Sequence, residues 1–140
     1  MLKGIPSIIS PDLLKVLMEM GHGDEICIGD GNFPGQRVNA RCLRADGHGV
    51  PELLEAILQL FPLDTYEKPV YIMAKTPGDT VETPIWDQYK EIIKPYTDAD
   101  MEQVERFAFY EKAKNAYAVV MTGESALYAN VILKKGVVKE

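Results

Sequence analysis

Short apolar runs alternate along this chain with stretches of helical periodicity, and that alternation restricts it to a few layered α/β architectures. Ile26-Cys27-Ile28, Val70-Tyr71-Ile72-Met73-Ala74, Ala118-Val119-Val120-Met121 and Asn130-Val131-Ile132-Leu133 read as buried strands. Asn130 aside they are apolar throughout, without the every-second-residue polarity of a sheet that faces water on one side. A further strand over 41–45 ends at the Asp46-Gly47 turn. Helices fall between. Ser10-Pro11-Asp12 is a helix start: serine caps, proline suits the first turn, and aspartate complements the positive end of the dipole. Leu13, Leu14, Val16, Leu17 and Met20 then form one apolar face, and Gly21 stops the helix. Pro51 opens a second helix over 52–61, with Leu53, Leu54, Ile57, Leu58 and Phe61 inward. A third over 85–94 is stopped by Pro95, and a fourth covers 107–116. The order α, β, β, α, β, α, α, β, β predicts a single domain over 1–140. It would be a three-layer α/β/α sandwich with a mixed, mostly parallel central sheet.

A chain of 140 residues with 46% hydrophobic content can bury a core without disulfides. Its net charge of −6 argues against a nucleic-acid partner. No apolar run approaches the roughly 20 residues that span a membrane. Met1-Leu2-Lys3-Gly4-Ile5-Pro6 lacks the apolar core of a signal peptide, so a cytoplasmic protein without a membrane partner is expected. Cys27 and Cys42 lie in apolar stretches and read as free thiols. No phosphate-binding glycine loop, dinucleotide fingerprint, nucleophile elbow or zinc-ligand spacing is present. The expectation is acid/base chemistry or binding, with no cofactor and no metal.

Three constellations can carry such chemistry. His22 sits in Met20-Gly21-His22-Gly23-Asp24-Glu25, a polar turn between helix and strand. An imidazole there suits proton transfer near neutral pH; the alternative is a helix cap. Asp30 follows the next strand, where residues of open α/β sheets line ligand crevices, and the two are expected to share one cavity. The bland reading of Asp30 is an Asx turn. Arg106 opens a helix against its dipole, which suggests that its fork of donors serves hydroxyls or a carboxylate. The alternative is a surface ion pair with Glu102 or Glu105. Phe107, Phe109 and Tyr110 read as core. Finally, Thr122-Gly123-Glu124-Ser125-Ala126-Leu127-Tyr128-Ala129-Asn130 is a polar excursion between buried strands. Its Tyr128 and Asn130 are spaced to point the same way and offer donors and acceptors to several hydroxyls.

Taken in order, these pieces resemble the RbsD/FucU family of sugar mutarotases nearly end to end. The resemblance covers 9–17, 19–26, Asp30 with Phe33-Pro34, and Arg44-Ala45-Asp46-Gly47. It continues through Arg106-Phe107-Ala108-Phe109-Tyr110-Glu111, Thr122-Gly123-Glu124 and 128–137. The L-fucose branch is the more similar, because the ribose branch carries histidine where Arg106 stands. The resemblance implies that His22 is the proton donor. It implies that Asp30, Arg106, Tyr128, Ala129 and Asn130 bind a monosaccharide. It also implies a homo-oligomer, a decamer of two stacked pentamers, for which Phe33-Pro34, Phe107 and Phe109 would supply apolar surface. Two roles stay open: a mutarotase for L-fucose or another aldose such as D-ribose, and a non-catalytic sugar-binding accessory of a transport system.

Overall fold

In the computed structural model, which describes residues 1–139, six strands form one sheet with helices on both faces. The elements are α1 (Pro11–Glu19), β1 (Glu25–Gly29), α2 (Gly35–Val38), β2 (Cys42–Ala45), α3 (Val50–Leu58) and β3 (Val70–Met73). They continue with α4 (Pro84–Ile93), β4 (Glu102–Val104), α5 (Arg106–Asn115), β5 (Ala118–Thr122) and β6 (Val131–Lys134). Strand order is β2-β5-β1-β6-β3-β4. Only β6 runs against the rest: it pairs antiparallel with β1 and β3, while the other pairings are parallel. The sheet is therefore mixed and mostly parallel, as expected.

The strand pleat divides the core. Ile26, Ile28, Val70, Ile72, Ala118, Val120, Val131 and Leu133 face α1, α3 and α4. The alternate residues Cys27, Tyr71, Met73, Val119, Met121 and Ile132 face Phe109 and Ala113 of α5, together with Phe33 and Val38. Both faces are covered, which is why these strands are apolar through their central positions.

Local signals account for most boundaries. The Ser10 hydroxyl accepts the Leu13 N–H at 3.1 Å at the start of α1. Glu52 Oε1 accepts the Gly49 N–H at 2.8 Å at the start of α3. Two elements have no counterpart among the expected ones. α2 is a single turn inside a Gly/Pro-rich loop. β4 is a short, largely exposed edge strand whose Glu102-Gln103-Val104 carries no apolar run. Cys27 and Cys42 are free. Both lie opposite Val119, on either side of β5. Two strand spacings, about 10 Å, exceed the span of a disulfide. Phe33 and Phe109 differ from the expected apolar surface. They are 5% and 0% exposed and pack edge to face across the second core, leaving Phe107 exposed. No helix among the described residues is long and apolar enough to cross a membrane.

Candidate active site

Four of the parallel strands deliver their following loops to one end of the sheet, where a ligand crevice is expected in open α/β folds. A cavity of about 330 Å³ opens there, lined by Asp30, Arg106, Tyr128 and Asn130 among others. These four come from the exit of β1, the start of α5 and the 122–130 excursion, so tertiary folding assembles three separately read constellations.

Asp30 is buried, 6% exposed. Its Oδ1 accepts the Asn32 N–H at 3.0 Å, the geometry of an Asx turn, and its Oδ2 accepts the Ala129 N–H at 3.4 Å. Its own N–H donates to Asn130 Oδ1 at 2.8 Å. Both readings of Asp30 hold at once: it shapes the glycine loop and lines the cavity. Burial pushes its carboxyl above the usual carboxylate range, and the N–H groups of Asn32 and Ala129 oppose that shift without reversing it. Since Asn130 Oδ1 faces a backbone donor, its amide NH₂ is left for the cavity.

The 128–130 segment is not extended as its spacing suggested. Tyr128 has φ of +54°, the left-handed region, which costs a tyrosine about 1–3 kcal/mol. The conformation is over-determined by its neighbours. The Trp86 indole N–H donates to the Tyr128 carbonyl at 2.8 Å, and the Tyr89 hydroxyl donates to the Ala129 carbonyl at 2.6 Å. Tyr89 is fully buried, so Tyr89→Phe leaves that carbonyl without its partner. The expected loss is about 1–3 kcal/mol of unfolding free energy by denaturant titration; a loss below about 0.5 kcal/mol would show that the bond does not hold the segment. The Tyr128 hydroxyl meanwhile donates to Asp79 and accepts the Thr76 N–H at 3.2 Å. Donation from Tyr128 holds the Asp79 carboxyl below its usual range, aided by the Val81 N–H.

Arg106 pairs with no carboxylate among the described residues. Its Nε–H donates to the Tyr110 hydroxyl at 3.1 Å, and its guanidinium lies 5.4 and 5.5 Å from the rings of Phe107 and Tyr110. Glu105 instead caps α5, accepting the N–H groups of Phe107 and Ala108. The ion-pair alternative is therefore absent, and the guanidinium keeps free donors at the mouth of the cavity. Tyr110 and Phe107 depart from the expected core role: Tyr110 lines the cavity and Phe107 is 66% exposed. The cause is helical phase, which turns only Phe109 and Ala113 of α5 onto the sheet.

His22 does not share this cavity within one chain. It precedes β1 whereas Asp30 follows it, so the length of the strand, about 16 Å, separates them. Eight positions of sequence look close only if the chain doubles back, and β1 does not. His22 lies in the opposite turn, its side chain 45% exposed, with Nε2 3.1 Å from Asp64 Oδ1 and its ring 5.4 Å from that of Tyr66.

Sequence reasoning did not single out Asp79, Asn32, Met73 or Leu127 as cavity residues. Asp79 lies in the loop that follows β3, at the same end of the sheet as Asp30, but beyond Ala74-Lys75-Thr76-Pro77-Gly78, too far from the strand end for the rule that selected Asp30. Asp64 has no local signal. No group of three or more His, Cys, Asp or Glu residues is clustered to hold a metal ion among the described residues.

Comparison with known proteins agrees with this architecture. The model of the RbsD / FucU transport protein family matches residues 3–138. Fucose mutarotase of Danio rerio is 55% identical over 98% of this chain and 94% of its own length. The crystal structure of FucU from Bifidobacterium longum superposes with a TM-score of 0.95 at 59% identity, covering 98% of this chain and all of that one. That of the Streptococcus pneumoniae fucose mutarotase in complex with L-fucose does so with a TM-score of 0.92 at 48% identity, covering 99% and 100%. With a family match along nearly its whole length and relatives this similar in both sequence and fold, the chain belongs to the RbsD / FucU family.

Proposed function

We propose that this chain is a mutarotase that interconverts the α and β anomers of L-fucose. The observation that carries the reading is the cavity itself. Buried Asp30 and Asn130, half-buried Tyr128 and an Arg106 that meets no carboxylate among the described residues converge on a volume of about 330 Å³. That volume suits a monosaccharide, and small-molecule sites span roughly 300–1,000 Å³. The relationship to the Streptococcus pneumoniae protein crystallised with L-fucose supports the choice of sugar.

Anomers interconvert through the open-chain aldehyde. His22 in its protonated form gives a proton to the ring oxygen as the bond from that oxygen to the anomeric carbon breaks. The proton on the anomeric hydroxyl passes to a base in the cavity, and the Asp30 carboxylate, raised by burial, is the group at hand. Rotation about the bond next to the aldehyde presents its other face. Closure by the reverse transfers restores both groups, so nothing is consumed and no cofactor or metal enters. Tyr128, Asn130, the Ala129 backbone and Arg106 hold the remaining hydroxyls.

The separation of His22 from Asp30 supports a site shared between copies. In the ring-shaped homodecamer proposed here, the His22 turn of one copy closes the cavity of the next, and exposed Phe107, beside Arg106, lies at the seam. Light scattering at micromolar concentration is expected to show the assembled ring; a stable monomer would contradict it. The reaction is placed in the cytoplasm.

The direct test is NMR exchange between anomer resonances across a panel of L-fucose, D-ribose, galactose and glucose. A mutarotase transfers saturation between the two anomers of its sugar, whereas a transport accessory that only binds broadens both signals. Arg106→His makes the sugar preference testable in the same assay. Loss of a charge-assisted donor is expected to slow L-fucose exchange by roughly ten- to a hundredfold. The melting temperature should not move, because the exposed Arg106 side chain packs on no core residue. Unchanged L-fucose exchange would leave Arg106 outside the site.

A further inference from the structure

We propose that Asp64 is the positioning residue for His22: it clamps Nε2 of the imidazole, aims the ring, and leaves Nδ1 as the nitrogen that meets the sugar. The inference rests on the mutarotase reading above and adds a residue and an atom to it.

Asp64 lies 42 positions from His22, yet the two turns are bound to the same few residues after β6. The Gly23 N–H donates to the Lys135 carbonyl and the Lys135 N–H to the Asp24 carbonyl, both at 2.8 Å. From the other side the Asp64 N–H donates to the Lys134 carbonyl at 3.0 Å, and the Gly136 N–H donates to the Pro62 carbonyl at 2.7 Å. Gly136 permits this: a Cβ there would stand 2.5 Å from the Leu63 carbonyl oxygen. The 134–136 stretch is thus a splint that fixes the His22 turn against the Asp64 turn.

The carboxylate is immobilised before it meets the ring. Oδ1 accepts the Thr65 and Tyr66 N–H groups at 2.9 and 3.2 Å, and Oδ2 accepts the Glu67 N–H at 3.3 Å. Its side chain is 4% exposed, whereas that of His22 is 45% exposed. Burial alone would raise the Asp64 carboxyl, but the Tyr66 N–H, His22 and the other two N–H groups outweigh it and hold it ionised, below its usual range. A buried, ionised, rigid acceptor facing one ring nitrogen decides which nitrogen keeps its proton. Neutral His22 must carry hydrogen on Nε2, so Nδ1 alone can exchange a proton with a ligand. When both nitrogens are protonated, Nε2–H still faces the carboxylate and Nδ1–H is the proton that can pass to the sugar. The exposed Tyr66 ring lies beside the imidazole, 5.4 Å between centroids and tilted 50° to it.

The test compares Asp64→Asn, Asp64→Ala and His22→Ala in the intact protein, with L-fucose anomer exchange read as kcat and KM. A second readout is the ¹⁵N-edited proton spectrum of histidine-labelled protein. The chain has only two histidines, so a His48→Gln control assigns the His22 signals. Asn keeps the acceptor that Thr65 and Tyr66 use, which guards against a variant that merely unravels the turn. Expected for Asp64→Ala is a fall in kcat of about ten- to a hundredfold, from loss of one hydrogen bond to a charged group, and for Asp64→Asn, whose Oδ1 keeps the bond to Nε2 without the charge, a smaller fall, both with KM within about twofold. Wild type should show a slowly exchanging His22 Nε2–H signal that Asp64→Ala abolishes. A kcat unchanged in Asp64→Asn and Asp64→Ala while His22→Ala is inactive overturns this inference and leaves the mutarotase reading standing. So does a His22 N–H signal identical in wild type and Asp64→Ala. A loss of activity that follows a lowered melting temperature, with the N–H signal intact, also overturns it, because Asp64 would then only hold its loop. Full activity in His22→Ala would instead remove His22 from the reaction and this inference with it, whereas wild type without any anomer exchange would remove the mutarotase reading.

Discussion

His22→Ala is expected to slow L-fucose anomer exchange by about 100- to 10,000-fold, the range that a positioned acid or base contributes. The fold should survive, because the side chain is half exposed and makes one side-chain hydrogen bond, to Asp64. A circular dichroism melt superimposable on wild type is the control. If exchange persists within about tenfold of wild type, His22 is not the acid, and Asp30 becomes the sole titratable candidate inside the cavity with a raised carboxyl. Sugar binding should be largely retained in His22→Ala, since the hydroxyl-binding groups sit at the other end of β1.

The second large effect is a gain. His22→Ala and Asp30→Asn should each be nearly inactive alone. Asn is chosen at position 30 because it can still accept the Asn32 N–H that shapes the loop. If each cavity takes Asp30 from one copy and His22 from its neighbour, co-production of equal amounts leaves about a quarter of the cavities with both native residues. Exchange should therefore recover to about a quarter of wild type, orders of magnitude above either variant. Differently tagged chains purified in sequence show that mixing has occurred. Mixed rings no more active than the better single variant would sink the shared site. The two residues would then have to meet within one chain, across the 16 Å or so of β1, which this fold does not allow.

Much of the fold was legible in the residues. The four apolar runs became β1, β3, β5 and β6, and Ser10, Pro51 and Gly21 mark helix boundaries within a residue or two. Those signals lie within about ten residues of the elements they specify, and burial on both faces leaves an apolar run wherever the sheet is central. The short edge strand β4 and the single-turn α2 escaped because neither is long enough to carry a periodicity. Phe107, Phe109 and Tyr110 show the limit within one helix. All three are aromatic and adjacent, and only rotation about the helix axis against the second core separates the buried one from the two around Arg106.

By its own local chemistry, the sequence determined the layers, the strands that lie at the centre, and the polar residue types that line the cavity: Asp30, Arg106, Tyr128 and Asn130. Tertiary structure alone decided who meets whom. It brought those four together across intervals of up to 100 residues, since the Asp30 N–H reaches Asn130. It forced Tyr128 into a left-handed conformation that Trp86 and Tyr89 sustain. It separated His22 from Asp30, neighbours in sequence, and set His22 against Asp64 instead. The physical reason is that periodicity and capping are short-range effects of backbone geometry. Strand order and direction are settled by how all the apolar faces pack at once, and that packing fixes which end of the sheet each loop occupies.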